Sequence, residues 1–188
     1  MAKFAGFILM LLAANFAAAQ IPTSGNIFVG YSFERTNWSG LDSALSGPNL
    51  NGWEASLEGK VFPHLGIVTD FSAHYGSQSF TTFPPSGPGP TTVNVTGHEW
   101  EVLFGPRLSI PVGKITPFAE AMFGVAHINN GGFVSNSNTS FATGIGGGVD
   151  YRLVRILAVR LEADYVQTRF FSTTQNDVRL SPGLVFRF

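Results

Sequence analysis

Leu157-Ala158-Val159-Arg160-Leu161-Glu162-Ala163-Asp164-Tyr165 is the stretch whose reading decides the fold. Leu157, Val159, Leu161, Ala163 and Tyr165 take every second position, and Arg160, Glu162 and Asp164 stand between them. A repeat of two places successive side chains on opposite faces of a strand, whereas a helix repeats near 3.6. One face of this segment is therefore apolar and the other is charged.

The same alternation recurs along the chain. Ile27, Val29, Tyr31 and Phe33 alternate with Phe28, Gly30, Ser32 and Glu34; Trp53, Ala55, Leu57, Gly59 and Val61 alternate with Glu54, Ser56, Glu58 and Lys60. Leu65, Ile67, Thr69, Phe71, Ala73 and Tyr75 alternate with Gly66, Val68, Asp70, Ser72 and His74. Trp100, Val102 and Phe104 oppose Glu99, Glu101, Gly105 and Arg107. Ala119, Ala121, Phe123 and Val125 oppose Phe118, Glu120, Met122 and Gly124. Thr143, Ile145, Gly147, Val149 and Tyr151 oppose Ala142, Gly144, Gly146, Gly148, Asp150 and Arg152. Val178, Leu180, Leu184, Phe186 and Phe188 oppose Arg179, Ser181, Gly183 and Arg187. With the opening stretch this predicts eight strands, each near the ~9–11 residues that cross a bilayer when tilted.

The links between these segments alternate in length. Polar stretches rich in Gly, Pro, Ser and Asn follow the first, third, fifth and seventh strands, at 35–50, 77–96, 129–140 and 170–177. Short links follow the second, fourth and sixth, at Pro63-His64, 109–114 and 153–156. An outer-membrane barrel puts its longer loops outside the cell and its short turns in the periplasm. Phe83-Pro84-Pro85-Ser86-Gly87-Pro88-Gly89-Pro90 lacks the amide donors of a ladder and is predicted to be loop.

Composition fits the same architecture. Of 188 residues, 12% are charged, about half the ~25% of a soluble domain, and 18 are Phe. Among the twelve Asp and Glu, only Asp42 and Asp177 are assigned to loops; Glu34, Glu54, Glu58, Asp70, Glu99, Glu101, Glu120, Asp150, Glu162 and Asp164 lie on the polar faces. Lys60, Arg107, Arg152, Arg160, Arg179 and Arg187 share those faces. A cation on a lipid-facing position at the midplane costs ~2–4 kcal/mol, so the charged faces are expected to pair inside a lumen. Tyr31, Phe33, Trp53, Tyr75, Trp100 and Tyr165 fall at the loop ends of their strands, and Tyr151, Phe186 and Phe188 at the turn ends. These are two aromatic girdles, one for each membrane interface. A net charge of −1 offers no footprint for nucleic acid. The absence of cysteine excludes disulfides, thiolate metal sites, a Cys nucleophile and lipoprotein attachment.

Lys3, the apolar run Phe4 to Ala14 and the small residues Ala17-Ala18-Ala19 read as a signal peptide over residues 1–19, leaving an exported barrel domain over 20–188. The mature segment resembles the eight-stranded OmpA-like and OmpX-like barrel domains of Gram-negative outer membranes. The resemblance rests first on the C-terminus, Pro182-Gly183-Leu184-Val185-Phe186-Arg187-Phe188. In that family a polar residue, Gly, a hydrophobe and a terminal aromatic form the signal read by the barrel-assembly machinery; Pro182 departs from the pattern. Leu103-Phe104-Gly105-Pro106-Arg107 and Gly148-Val149-Asp150-Tyr151-Arg152 also resemble family strands. The resemblance implies Gly183, Phe186 and Phe188 as the assembly signal. It also implies the outer-membrane bilayer with its lipopolysaccharide as surroundings, and an all-β, antiparallel, up-and-down transmembrane barrel as the fold. A barrel of this size is filled by side chains, so the charged network is expected to pack the lumen and leave no open pore.

Candidate chemistry is sparse. Gly144-Ile145-Gly146-Gly147-Gly148 lacks the Lys-Ser/Thr of a phosphate loop, and its glycines are expected to relieve crowding inside the barrel. No two of His64, His74, His98 and His127 have the local spacing of metal ligands, so neither metal nor cofactor is expected. Ser72 and His74 share an inward face, away from lipid. The function this favours is a structural or surface-interaction protein whose four external loops meet a ligand, with Trp38 and Phe133 as exposed aromatic candidates. A lipid-modifying enzyme and a small gated ion channel are the alternatives.

Overall fold

The computed structural model describes residues 24–35, 49–82, 91–131, 136–170 and 174–188. The expected signal peptide, Trp38, Phe133, Asp42 and the segment 83–90 lie outside them. Eight strands form: β1 (Gly25–Arg35), β2 (Asn49–Lys60), β3 (Leu65–Thr82), β4 (Thr91–Ser109), β5 (Ile115–Gly131), β6 (Asn136–Val154), β7 (Leu157–Thr168) and β8 (Gln175–Arg187). Each pairs antiparallel with its neighbour in sequence, and β8 pairs with β1 to close the barrel. Closure leaves no unpaired edge, which hydrocarbon would not tolerate. Followed strand to strand from Gly25 through Gly59, Ile67, Pro106, Ala121, Ile145, Tyr165 and Val178, the register returns to β1 at Arg35, a stagger of ten residues (35 − 25). That stagger is what tilts the strands of a closed barrel.

The inside and the outside are inverted relative to a soluble protein. On β7, Arg160, Glu162 and Asp164 are buried while Val159, Leu161 and Tyr165 are exposed. The same holds around the barrel, with Ile27, Leu57, Ile67, Phe104, Phe123, Ile145 and Leu184 all exposed. Soluble monomers rarely expose contiguous apolar patches beyond a few hundred Å². A continuous belt of this kind is a surface for acyl chains. At its loop end Tyr31 faces Trp53 across the β1–β2 ladder. Tyr75 meets His98 edge-on, and Trp100 stacks on His127, both at 5.3 Å between ring centroids. Tyr165 lies on the same face and Phe33, half-buried, just above Tyr31. Tyr151, Phe186 and Phe188 are exposed at the turn end.

Three details differ from the sequence expectation. The stretches 77–96 and 129–140 are largely strand: β3 and β4 stay paired as far as Thr82 and Thr91, and β5 and β6 as far as Asn130 and Asn136. Beyond the bilayer an outward face no longer has to be apolar, so the period-two signal fades. Thr and Val, stiff at χ1, still favour extended backbone there. Asp177 belongs to β8 and is buried, whereas the sequence suggested loop. Arg152 leaves the lumen: a register shift between Arg152 and Val154 ends the alternation at the β6–β7 turn. Its exposed guanidinium donates to the Gly113 carbonyl of the adjoining turn at 2.9 Å.

The lipid-facing assignment makes a test at Leu161, midway along β7. Leu161→Arg is expected to lower unfolding free energy in bilayers by ~2–4 kcal/mol. Val112→Arg, in the β4–β5 turn, should change it by less than about 0.5 kcal/mol. Denaturant titration of the refolded barrel measures both, and equal effects at the two positions would contradict the belt.

Candidate functional site: the lumen

An eight-stranded barrel is just wide enough for its inward side chains to meet across the axis. Here the inward set is strongly acidic. Glu34, Glu54, Glu58, Asp70, Glu99, Glu101, Glu120, Asp150, Glu162, Asp164 and Asp177 are buried, against Arg107, Arg160 and Arg179 as buried cations. Lys60 and Arg187, about one quarter exposed, add positive charge at the turn end.

Each buried arginine gathers several carboxylates. At the turn end, Arg160 holds Asp150 through two nitrogens at 2.7 and 3.1 Å and reaches Glu162 at 3.3 Å. Arg107 binds Glu120 at 2.5 Å and Glu162 at 3.1 Å, with Glu58 at 3.7 Å. Both guanidiniums lie over the Phe118 ring, at 4.4 and 4.5 Å from its centroid, and Arg160 also covers Phe28 at 5.0 Å. Flat, delocalised arginine suits such stacking while its edge holds carboxylates. Below this layer a cavity of about 220 Å³ opens at the turn end, where Lys60 contacts Glu58 and Ser109. In mid-barrel Arg179 holds Asp164 and Asp70 at 2.9 Å, with Glu54 at 3.4 Å and Glu101 at 3.5 Å. Val68, Leu103, Met122, Ala126, Ile128, Ala142 and Phe170 form one buried apolar cluster, and Phe28, Ala158 and Val185 a second. The structure thus brings together every sequence-predicted lumen residue from Glu54 to Arg179 except Glu99, which lies toward the loop end, and Arg152.

The glycines of β6 make room for this packing. A Cβ at Gly146 would overlap the Asp164 carboxylate, and one at Gly148 the Phe118 ring.

Toward the loop end lies a group that sequence reasoning missed. His74 reaches from β3 to β1 across Gly52, which has no side chain to block it; Ser32, Gly52 and His74 are register neighbours on β1, β2 and β3. Its Nε2 lies 2.9 Å from Ser32 Oγ, and Nδ1 lies 3.2 Å from Glu34 Oε2. The order Ser–His–Glu has the spacing of a hydrolytic triad, but all three residues are fully buried and no substrate reaches them. Ser181 lies 3.0 Å from Ser32 and donates to Glu54 at 2.5 Å, which extends the polar group to β8 and β2. The other histidines do not converge on His74: His98 and His127 face outward in the girdle, and His64 sits in the β2–β3 turn. Two groups could geometrically hold a metal ion: Glu34 with His74 and Glu101, and Glu54 with Glu162 and Asp164.

A closed eight-stranded antiparallel barrel with an apolar exterior and a charged, filled interior defines the class: a transmembrane β-barrel. The fold is shared with Ail, the attachment invasion locus protein of Yersinia pestis (TM-score 0.55, 15% identity, 87% of this chain and 98% of that one). It is likewise shared with Neisserial surface protein A, NspA (TM-score 0.65, 12% identity, 87% and 97%). Ail in complex with the heparin analogue sucrose octasulfate matches at TM-score 0.54, with 16% identity over 87% of this chain and 98% of that one. No family profile matches the sequence, and no curated protein matches it either.

Arg179 links four carboxylates. Arg179→Ala is expected to cost about 3–5 kcal/mol, because it strands them in a buried site. Arg152→Ala, removing one exposed hydrogen bond, should cost less than about 1 kcal/mol. Equal small losses in equilibrium unfolding would show that the lumen charges are satisfied by other means.

Proposed function

We propose that this chain is a surface-interaction barrel of the outer membrane, with a plugged lumen and no catalytic role. One observation carries the reading. β3, β4, β5 and β6 are 18, 19, 17 and 19 residues long, whereas β1, β2, β7 and β8 are 11, 12, 12 and 13. Crossing the bilayer needs only ~9–11, so the β3–β6 wall has a surplus on the order of 20 Å of paired strand at ~3.4 Å per residue. Ladder-paired hairpins are rigid supports for binding loops. They stand at the end opposite the short turns, which is the extracellular side of such barrels.

The chemistry of the partner follows from the loop sequences. Segments 77–96 and 129–140 contain no Asp, Glu, Lys or Arg; they are rich in Ser, Thr, Asn, Gly and Pro and carry Phe80, Phe83 and Phe133. Such a surface suits an uncharged glycan or a neutral protein face, recognised by hydrogen bonds and aromatic contact. Ail has been crystallised with a heparin analogue, but the segments 77–96 and 129–140, which carry no cation, are poorly matched to a sulfated polyanion. The plugged reading of the lumen is supported by the full burial of Arg107 and Arg179 across its section. The barrel-assembly machinery and outer-membrane lipid, lipopolysaccharide included, complete the proposed partners.

Replacing residues 77–96 by a two-residue Asn-Gly turn joins Gly76 to its register partner Gly97. On a glycan and extracellular-protein array the intact refolded barrel is expected to bind in a salt-insensitive manner. The shortened one should fold but lose that binding at least tenfold. Stepwise conductance in planar bilayers, or a lipid A mass profile that changes with expression of the chain, would replace this reading with a channel or an enzyme.

A further inference from the structure

We propose that Glu34, His74 and Glu101 form a binding site for a divalent transition cation of the Zn²⁺ or Mn²⁺ type, clamping β1 to β3 and β4 near the loop end of the lumen. The three residues come from strands β1, β3 and β4, and one donor atom from each lies within 4.8 Å of the other two.

The starting point is the set of buried polar atoms around His74. Its Nδ1 has no hydrogen-bond partner, and 3.2 Å away lies Glu34 Oε2, which has none either. A cation held between the two would satisfy both in this fully buried site. Glu34 is 0% exposed and its second oxygen, Oε1, is equally without a partner.

The surrounding charge points the same way. Glu99, Glu101 and Asp177 all act electrostatically on Glu34, and the opposing cation is Arg179. Arg179, however, already serves Asp164, Asp70, Glu54 and Glu101. Among the described residues no Lys or Arg nitrogen lies within salt-bridge distance of Glu34. The second acidic group makes the contrast: Glu54, Glu162 and Asp164 are each held by Arg107, Arg160 or Arg179. Their positive charge is supplied by the protein, and that group needs no ion.

Ligand type sets the class of metal. One imidazole nitrogen with two carboxylates is a donor set for Zn²⁺ or Mn²⁺, while Ca²⁺ and Mg²⁺ take oxygen alone. With a metal ion on Nδ1, Nε2–H would donate to Ser32, 2.9 Å away, the outer contact that metal-ligating histidines make through their other nitrogen. It fixes the ring so that Nδ1 faces Glu34.

Isothermal titration of the full refolded barrel in detergent micelles, stripped with EDTA and titrated with ZnCl₂ and then MnCl₂, tests the site. The expected result is one saturable site per chain for at least one of the two ions, with a raised thermal midpoint. Hundredfold excess CaCl₂ should not abolish it. Glu34→Gln and His74→Gln should each weaken binding by about tenfold or more, and Ser32→Ala by about 10–100-fold through the lost outer contact. His98→Ala and His127→Ala should leave binding unchanged. Heat-modifiable gel mobility checks that each variant is folded; should His74→Gln fail to fold, Glu34→Gln carries the decision. Absence of saturable binding, full affinity in Glu34→Gln, or loss of binding in the girdle-histidine variants overturns the site. Equal competition by Ca²⁺ overturns the metal class.

Discussion

Backbone amides and carbonyls in hydrocarbon have no water to bond, so every one that crosses the bilayer must be paired within the protein. In this chain eight antiparallel ladders meet the requirement, and it is completed by one contact, the pairing of β1 with β8 from Asn26 with Arg187 to Arg35 with Val178. Once that seam closes, the other features are constrained. A closed ladder with side chains alternating across it has an outside that must be apolar and an inside too narrow for bulk water. The charge deficit of the chain is therefore local: the exterior belt excludes charge, and the interior concentrates it.

The interior does not balance itself by one-to-one pairing. Buried carboxylates outnumber buried guanidiniums, and the arginines compensate by multiple contacts, Arg179 with four acidic partners and Arg107 with three. Arginine can do this because its five donors spread over a planar fork. The arrangement works from the turn end to mid-barrel. It stops at Arg179, and above that level Glu34 and His74 face each other with no arginine between them. The supply of positive charge is thus uneven along the barrel axis and thinnest toward the loop end.

How much of this could be read from the sequence depends on what physical signal each feature leaves. The two-residue repeat is imposed by lipid on one face, so Leu161 and Glu162 announce their sides unambiguously. The paired strands past Tyr75 and Trp100 escaped because lipid no longer selects their outward residues. Arg152 was misplaced because alternation holds only while the ladder register holds, and the register breaks beside it. Phe28 and Phe118 lie on the inward side of the repeat, yet their stacking beneath Arg160 and Arg107 requires knowing which strands face each other across the lumen. The Glu34, His74 and Glu101 group was hidden for the same reason. Local spacing finds metal ligands on one helix or one hairpin, whereas these residues are 40 and 27 positions apart (74 − 34 and 101 − 74) and meet only through the register of the β1–β2, β2–β3 and β3–β4 ladders.

The seam also gives a folding reason for one residue of the C-terminal segment. Gly183 pairs with Gly30 across β8 and β1, and the Phe28 ring lies against both. A Cβ at Gly183 would come within 2.4 Å of the Val29 carbonyl oxygen and 2.6 Å of the Phe28 ring, and one at Gly30 within 2.6 Å of that ring. An aromatic ring laid over strand glycines covers backbone that would otherwise be bare, and here the ring in turn sits under the Arg160 guanidinium. The glycine is thus needed by the ladder that closes the barrel, whatever else reads the segment. Pairing of β8 to β1 joins the first and last strands in sequence and closes the longest loop, which makes it the costliest contact in chain entropy. Two glycines and a ring that fit only when the strands are in register give that contact a geometric lock, and a slip by one residue would drive a side chain into the space Phe28 occupies.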